Sequence, residues 1–536
     1  MGLLKVLRSL SHFFKFDDSD SRFELLETEY GTPYDKERNK RSIELDNSVK
    51  EDAEISAELK SNLTLIRQDF RADINPDILI REFTLGGEVD AAIVFINGLV
   101  NSVMLNDFIL RDGMKKDALE NASKPIVEYA LKNIFTVSDA QIEWNYLKIK
   151  KAILAGQSVL FIEGENRALI FDTRNQPTRG IDAAENEKSV LGPREAFVEN
   201  MKTNISLIRK HLQNDSLVCE MRTVGKESNI KVGILYCEGV ANSSLVNEVK
   251  SRLSKVNLNK VIAVNTLIQV MEKNSNILFP SALLTEKPDR VASFLLEGHV
   301  VLMCEGNPLV AVTPTTLHMM FSMPEDAYAR PSAASFVRFV RISAAVVSVY
   351  LPALFIAVVR YHQGFFSPEM LNTLVASHTM VFVPISLELV LLMFMFQLIR
   401  EAGMRVPGSV GQALGIIGGL VLGQAAIAAN LASPVVLILV ALVGLGNFCI
   451  PEYTMQLTSF YIRIAFVVLA IMAGFLGIVC GTLLLVGYMS SAKSFGVPLL
   501  TPYAVKAYSK RPLIMRGKVK NNDLSGEDYM NRENDW

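Results

Sequence analysis

The sequence predicts an α/β soluble N-terminal half followed by an all-α polytopic membrane domain, and three observations support this fold class. First, residues 406–451 contain no charged side chain, which is enough for about two helical crossings of about 20 apolar residues each. Second, most acidic and basic residues lie before Arg341 or after Ser491. Third, residues 59–330 alternate short strand-like apolar runs with helical patterns, as α/β domains do.

The overall composition favours a membrane protein without a cofactor. Of the 536 residues, 50% are hydrophobic, and the mean hydropathy of +0.25 is high for a wholly soluble chain. The net charge is −2, and no basic, aromatic-interleaved face predicts nucleic-acid binding. The five cysteines lack CxxC spacing and are expected to be reduced and buried, although Cys219 and Cys237 flank a predicted hairpin and could face each other.

Five regions are predicted along the chain. Residues 1–58 form a polar, partly disordered lead-in. Its first 16 residues lack a signal-peptide pattern and form either a surface-bound amphipathic helix or a frayed terminus. Two α/β subdomains follow at 59–180 and 190–335, separated by a polar linker with Pro and Gly. A transmembrane helical domain covers 338–492, and 493–536 form a basic cytoplasmic tail.

The two α/β subdomains are predicted to be related by duplication. DAAIVFINGLV at 90–100 corresponds to KVGILYCEGVAN at 231–242, and SVLFIEGENRALIF at 158–171 corresponds to VVLMCEGNPLVAV at 300–312. Gly98 precedes Gly164 by 66 positions, and Gly239 precedes Gly306 by 67. We therefore expect tandem copies of one unit, each with a strand ending in Gly, a helical crossover and a hairpin turning at Glu-Gly.

No motif in the soluble half predicts catalysis, and we expect that the chain is not an enzyme. Glu163 and Glu305 could act as paired acid and base groups, but their position before Gly164 and Gly306 favours tight turns that need a positive φ. The sequence lacks the phosphate-binding loop, zinc protease and nucleophile-elbow patterns, and the six histidines are not spaced as metal ligands.

Five apolar segments are predicted in the membrane half, of which the second and the last are longer than one crossing needs. They are 342–359, 370–399, 410–429, 434–450 and 464–491. The second contains Pro384 and forms one tilted span or a broken or re-entrant pair. The missing export signal and the basic tail place both ends in the cytoplasm, which requires an even number of crossings. One long segment is therefore re-entrant or doubled.

Small and polar residues inside these segments are the candidate functional residues. Glycines at spacings of four allow helices to pack closely, within one subunit or between subunits; they are Gly411, Gly415, Gly419 and Gly423, and later Gly477 and Gly481. Polar residues at membrane depth are candidates for a pore, a gate or interhelical hydrogen bonds; they are Glu388, Gln397, Gln412, Gln424, Asn430 and Asn447. Arg400, Glu401 and Arg405 are expected at the membrane boundary as topology anchors.

Three long stretches resemble the A subunit of the GerA-type spore germinant receptors. They are LIREAGMRVPGSVGQALGIIGGLVLGQAAIAANLASPVV at 398–436, GPREAFVENMKTNISLIRK at 192–210 and TEKPDRVASFLLEGHVVLMCEGNPLVAV at 285–312. The likeness covers roughly 73–502. Three positions depart from the family pattern: Gln397 stands where Glu is frequent, His299 where Arg is frequent, and PEDAYAR where paired aromatics are common.

The resemblance implies a polytopic protein of the spore inner membrane, without a cofactor. Its partners would be a transporter-like B subunit, a lipoprotein C subunit, membrane lipid and further copies of itself. The expected function is a nutrient-gated cation channel whose opening commits the spore to germination. Alternatives are a stage V sporulation AF-type paralogue that amplifies ion release, a secondary solute transporter, and a membrane-tethered scaffold.

Overall fold

The computed structural model describes residues 54–119, 125–174, 191–272, 278–405 and 423–501. In the first subdomain, a single five-stranded antiparallel sheet has the strand order β1-β2-β4-β5-β3. Its elements are α1 (Leu59–Asp69), β1 (Ile78–Leu85), β2 (Val89–Ile96), a π-helical turn (Met104–Leu110) continued by Arg111–Gly113, a 3-10 turn (Lys116–Leu119), α2 (Ile126–Asn133), β3 (Ala140–Glu143), α3 (Tyr146–Leu154), β4 (Ser158–Ile162) and β5 (Ala168–Phe171).

Both faces of this sheet are covered by helices, which explains the continuous apolar run in β2. Ala92 and Val94 face the core that α1 and α3 close. Ala91 and Ile93 point to the opposite face and pack under the π-helical turn and α2. Because alternate residues of a strand point to opposite faces, a strand covered on both sides is apolar throughout.

The second subdomain has the same strand order as the first, as expected for the predicted duplication. Its sheet has the order β6-β7-β9-β10-β8, the same as the first sheet when the strands are matched in sequence. Its elements are α4 (Met201–His211), β6 (Leu217–Val224), β7 (Ile230–Cys237), α5 (Ser243–Ser254), α6 (Val264–Met271), β8 (Leu283–Thr285), α7 (Pro288–Leu296), β9 (Val300–Cys304) and β10 (Val310–Thr313). Gly164 and Gly306 have φ of +84° and +80°, as the predicted turns require.

Buried polar contacts join the two subdomains. The Arg209 guanidinium of α4 pairs with Asp77 beside β1, and both side chains are almost fully buried. The Asn75 side chain accepts a hydrogen bond from the Cys219 backbone N–H at 2.6 Å. Because these polar contacts lie away from water, they hold the two subdomains together.

Cys219 and Cys237 are free and buried, and they are not directly opposite in the hairpin. In the β6–β7 register, Cys219 pairs with Leu235 and Cys237 pairs with Leu217. The expectation that the two could face each other is therefore wrong, because they are diagonal neighbours across the hairpin and not a directly opposed pair. Burial raises the pKa of Cys237 to about 12 and raises that of Cys219 further, which keeps both thiols protonated and unreactive.

Two short helices, α8 (Leu317–Phe321) and α9 (Glu325–Tyr328), end the soluble half. The C-terminal half is helical. Its elements are α10 (Pro331–Tyr361), a 3-10 turn (Gln363–Phe365), α11 (Pro368–His378), α12 (Ile385–Arg405), α13 (Pro434–Phe448), α14 (Tyr453–Ser491) and a small hairpin of β11 (Lys493–Ser494) and β12 (Val497–Pro498). Among the described residues, α10 and α14 are long and apolar enough to cross a membrane, and α13 is a shorter apolar helix.

The longest helix, α14, reverses its direction at Gly474, which has the non-helical angles φ 57° and ψ −133°. Thr458 Oγ1 donates to the Leu278 carbonyl at 2.7 Å, and Tyr488 Oη accepts from the Leu278 N–H at 2.8 Å. A straight helix would separate positions 458 and 488 by about 45 Å. The two arms, 453–473 and 475–491, therefore lie side by side.

The structure decides between the alternatives for the two long apolar segments. The segment 370–399 is broken and is not one tilted helix, because α11 ends at His378 and α12 begins only at Ile385, after Pro384. The segment 464–491 belongs to the folded-back α14, which already begins at Tyr453. Of the segment 410–429, residues 410–422 lie outside the described part of the chain, and 423–428 are helical.

The first residues of the predicted basic tail are part of the soluble half. The β11–β12 hairpin places Phe495, 1% exposed, in the core of the second subdomain. The Arg252 guanidinium lies 4.6 Å from the centre of the Phe495 ring. Thr315 N–H donates to Ser494 Oγ at 2.9 Å. The end of α14 is thus fastened to the same subdomain that leads into α10.

Candidate functional site

Glu388 is the most deeply buried acidic side chain in the helical half, as far as the structure describes it, and its partners come from two other segments. Its residue is 1% exposed. Glu388 Oε1 accepts hydrogen bonds from the Ser433 N–H at 2.5 Å and from Ser433 Oγ at 2.8 Å. Glu388 Oε2 lies 3.2 Å from His378 Nε2, but the two atoms are not aligned as a hydrogen bond.

Local helix geometry explains this position. Pro384 cannot continue a helix, and Glu388 falls in the first turn of α12 that follows it. Ser433 is the N-cap of α13, whose first helical residue is a proline. The carboxylate therefore meets the N-terminal ends of two helices, where partial positive charge favours an anion.

The two carboxylate oxygens of Glu388 have different partners. A carboxylate away from water needs charge-assisted bonds or a proton. Ser433 supplies two donors to one oxygen, whereas the other oxygen faces only the imidazole of His378, which is 25% exposed. The contact between Glu388 and His378 brings the end of α11 to the starts of α12 and α13.

A second polar cluster lies around Arg463, on the first arm of α14. Arg463 Nε donates to the Ser348 carbonyl of α10 at 2.8 Å, and Nη2 donates to Asn447 Oδ1 of α13 at 3.1 Å and to Ser348 Oγ. The residue is 4% exposed. These neutral oxygens tie α10, α13 and α14 together without neutralising the guanidinium charge.

Arg400 is part of the same polar region. It is 7% exposed, and its Nη1 donates to Gln456 Oε1 of α14 at 3.2 Å. Glu401 beside it is half-buried, and α12 ends at Arg405, whose side chain lies outside the described atoms.

A third cluster joins the soluble half to α10. Asp326 on α9 accepts hydrogen bonds from Arg341 at 2.8 and 2.9 Å and from Arg338 at 2.8 Å. Burial alone would raise the pKa of Asp326, but the hydrogen bonds from Arg341 and Arg338 outweigh it and lower the pKa below its usual range. The aspartate is therefore an anion at neutral pH.

A family model described as the Bacillus/Clostridium GerA spore germination protein matches residues 64–524, which is most of the chain. The chain belongs to this GerA family. Spore germination protein KA of Bacillus subtilis strain 168 is 29% identical over 452 residues, covering 84% of this chain and 82% of the relative. Spore germination protein B1 of the same strain is 31% identical over 450 residues, covering 84% and 92%.

One solved structure of this family is also similar to the chain. It is the N-terminal domain of the A subunit of the Bacillus megaterium spore germinant receptor GerK3, at 25% identity and a TM-score of 0.40. The match covers 49% of this chain and 97% of that domain.

The GerA-family fold separates the predicted polar residues rather than assembling them into one site. Asn447 is 4% exposed and bonded to Arg463, whereas Gln397 is half-buried and Gln424 and Asn430 are exposed. Gln412 lies outside the described residues. None of these side chains contacts Glu388 within the described part of the chain.

The predicted small residues serve contacts inside this chain wherever the structure describes them. A Cβ on Gly477 would lie 2.1 Å from the Leu469 carbonyl oxygen, and one on Gly481 would lie 2.8 Å from the Leu469 side chain. Both glycines let the two arms of α14 meet. Gly423 lies against Leu437 of α13. Gly411, Gly415 and Gly419 lie outside the described residues.

Glu163 and Glu305 lie at the turns of separate sheets, so the structure does not bring them together as an acid–base pair. Glu163 Oε2 accepts a hydrogen bond from the Leu59 N–H at 2.8 Å and thereby caps α1. Among the described residues, no three His, Cys, Asp or Glu side chains are grouped as metal ligands.

The sequence analysis missed His378, Ser433, Arg463 and Asp326. Ser433 could have been found, because a Ser-Pro pair before an apolar run is a helix-start pattern. Arg463 was missed because the last apolar segment was begun one residue later, at 464. His378 carries no signal in its local pattern, since its pairing with Glu388 depends on the break at Pro384.

Proposed function

We propose that this chain is the A subunit of a nutrient germinant receptor and forms a nutrient-gated cation channel in the spore inner membrane. Family membership supports the germination role. The observation that carries the channel proposal is Glu388, a carboxylate buried among apolar helices and joined to Ser433 and His378. An ionisable residue at membrane depth marks an ion or proton pathway more often than a structural contact.

We propose five crossings among the described helices, made by α10, α12, α13 and the two arms of α14. α10 leads away from the soluble half, and the two arms of α14 lead away and back. α12 and α13 run in the same direction, because Glu388 meets Ser433 near their starts and Phe396 meets Gly444 further along. A cytoplasmic soluble half and tail would require an even number of crossings.

The uncharged polar residues suit a path for monovalent cations. Side-chain oxygens of Gln and Asn can replace part of the hydration shell without holding the ion tightly. Gln424 and Asn430 are exposed in the single chain, where they would face a neighbouring copy or the path. We propose that the glycines at 411, 415 and 419 let copies pack closely, so that Leu at 415 and 419 would reduce the oligomer size on native gels.

The soluble half would transmit the gating signal. Both the entry into α10 and the exit from α14 are bonded to the second subdomain. A transporter-like B subunit and a lipoprotein C subunit are the proposed partners, and nutrient binding on a partner would shift an existing open–closed equilibrium.

A secondary transporter is the alternative that one specific observation favours. The break between α11 and α12 places a buried carboxylate beside helix ends, as discontinuous helices do in transporter substrate sites. Counterflow of a labelled amino acid by this chain alone in liposomes would support that alternative. Conduction that needs the partners and shows no counterflow would support the channel.

The test of the receptor role is potassium release from spores that lack this gene, compared with the parent strain. Amino acids, sugars and nucleosides are given separately. We expect loss of the response to one nutrient class. Slower release after every nutrient would instead indicate the amplifying paralogue, and a scaffold role would leave release intact after substitution of Glu388.

A further inference from the structure

Two buried arginines in the helical half share one acidic neighbour among the described residues, Glu401, which acts on Arg400 from beyond ion-pair distance. Arg400 and Arg463 are 7% and 4% exposed, and neither forms an ion pair there. The charge of Arg400 also acts on Arg463, so each guanidinium adds to the cost of burying the other. Buried charges in proteins are normally paired, so this region is short of one negative charge.

The unused donors face the same region. Arg400 Nη1 is bonded to Gln456, but Arg400 Nε and Nη2 are buried without a partner. Ser459 is 2% exposed, and its Oγ is also buried without a partner. Gln456, Ser459 and Arg463 are at positions i, i+3 and i+7 of α14 and therefore share one face of that helix.

The two segments that adjoin this region in the sequence contain no acidic residue that could supply a further charge. The segment 406–422, which follows α12, contains no Asp or Glu. The segment 273–277, which precedes Leu278, contains a lysine and no acid. The counter-ion must therefore come from outside these parts of the chain.

We propose that Arg400, Ser459 and Arg463 form a buried binding site for a phosphate oxyanion, supplied by the headgroup of an anionic phospholipid. A guanidinium with Nε and Nη2 free presents the two parallel N–H donors that match a phosphate. The depth of the site in the membrane also suits a lipid headgroup. Thr458, next to Ser459, is hydrogen-bonded to Leu278 of the soluble half, so the site lies close to that half. Basic pockets between helices on the cytoplasmic side are typical sites of anionic headgroups.

This inference rests on the membrane embedding proposed above, but it does not depend on ion conduction. The experiment uses the purified full-length chain in nanodiscs of phosphatidylcholine, with or without phosphatidylglycerol. The readouts are the midpoint of thermal unfolding and the number of retained lipids by native mass spectrometry. We expect phosphatidylglycerol to raise the midpoint and one anionic lipid to be retained. Protein that does not enter nanodiscs at all would instead contradict the membrane embedding.

The Arg400→Gln variant should lower the affinity for phosphatidylglycerol at least tenfold. Arg360→Gln is the matched control, because it removes the same charge from an exposed position on α10 and should leave the affinity unchanged. Ser459→Ala keeps every hydrogen bond of both arginines and should lower the affinity about threefold. It also provides the test if Arg400→Gln does not accumulate.

A second arm separates the two sources of phosphate. Inorganic phosphate is added to phosphatidylcholine nanodiscs, with sulfate-free chloride buffer as the reference. A rise in the midpoint that Arg400→Gln abolishes would support the oxyanion site and assign it to free phosphate. The proposal is overturned if neither ligand raises the midpoint, or if both variants respond as the parent does. In the first case the missing charge belongs to a partner protein.

Discussion

Asp326 accepts two parallel hydrogen bonds from Arg341, and this pair fastens the soluble half to the first helix of the membrane half. The two N···O distances are 2.8 and 2.9 Å, and both side chains are nearly excluded from water. Arg338 adds a third bond to the same carboxylate. Movement of the second subdomain would therefore be passed directly to α10.

The first prediction concerns Asp326→Asn, which leaves Arg338 and Arg341 buried without their anion. Removing one partner of a buried ion pair costs about 3 kcal/mol of folding free energy or more. We expect a lower thermal midpoint of the full-length protein in detergent. Glu82→Gln is the control, because it breaks the exposed pair with Arg67 and should change the midpoint little. Equal midpoints for both variants would contradict the coupling role of Asp326.

The soluble fold was largely predictable from the sequence, and the reason is visible in β2 and β7. Strands covered on both faces are apolar throughout, so DAAIVFINGLV and KVGILYCEGVAN stand out from their polar surroundings. The strands β3 and β8 have only 4 and 3 residues, which is too short to show an alternation of apolar and polar side chains in the sequence. Their positions at the sheet edge depend on pairing with β5 and β10, which sequence periodicity does not report.

The polar contacts of the helical half were not predictable in the same way. Glu388 was identified as a residue that needs a partner, but the partners lie 10 and 45 positions away, across two helix breaks. Arg400 was expected at the boundary because charges at the ends of apolar segments are normally anchors. Its burial follows from the packing of α12 against α14 through Gln456, a tertiary contact.

The second prediction is a pH dependence of stability that arises from His299. Burial lowers the pKa of His299 to about 4, against a weaker opposing effect of its hydrogen bond to the Phe294 carbonyl. The unfolded chain binds the proton near pH 6.5, so this residue should lower stability as pH falls from about 6.5 towards 4, by about 3 kcal/mol in total. Above pH 6.5 its effect should be constant.

The measurement for His299 is the unfolding midpoint between pH 4 and 7.5. His299→Gln should flatten the profile in that window, because the glutamine has no proton to take up. His211→Gln, which removes a partly exposed histidine of α4, is the control for the loss of a histidine side chain. A parent-like slope in His299→Gln would contradict the assignment.

The third prediction concerns Phe495, which anchors the C-terminal hairpin. It is 1% exposed inside the second subdomain, so Phe495→Ala should cost about 3–5 kcal/mol in lost burial and cavity formation. We expect faster tryptic cleavage at Lys493, because the hairpin would leave the subdomain. Ile262→Ala removes an apolar side chain that is 72% exposed and should be cleaved at the parent rate. Identical cleavage of both variants would show that the hairpin does not depend on Phe495.

The fourth prediction tests the reversal of α14 at Gly474. Thr458→Cys and Tyr488→Cys are combined in a background with Cys449 and Cys480 replaced by Ser. A short bifunctional maleimide should join the pair within one chain, because both positions contact Leu278. Thr458→Cys with Met472→Cys is the control, since about 21 Å of helix separates those positions. A straight α14 would cross-link neither pair.

The last prediction concerns ion release in Glu388→Gln spores. Glutamine keeps the size of the side chain and can still accept a hydrogen bond from Ser433, so the protein should remain in the membrane at the parent level. It removes the charge that faces His378, and we expect nutrient-triggered potassium release to slow about tenfold, equivalent to about 1.4 kcal/mol in the opening equilibrium.

The matched control is Glu401→Gln on the same helix, which removes one carboxylate from a half-buried position and should keep the parent rate. His378→Gln should slow release as Glu388→Gln does, and the double variant should be no slower than either single one, because all three lose the same contact. Parent-like release in Glu388→Gln, at equal protein level, would remove Glu388 from the gating mechanism and leave its bonds to Ser433 as packing between α12 and α13.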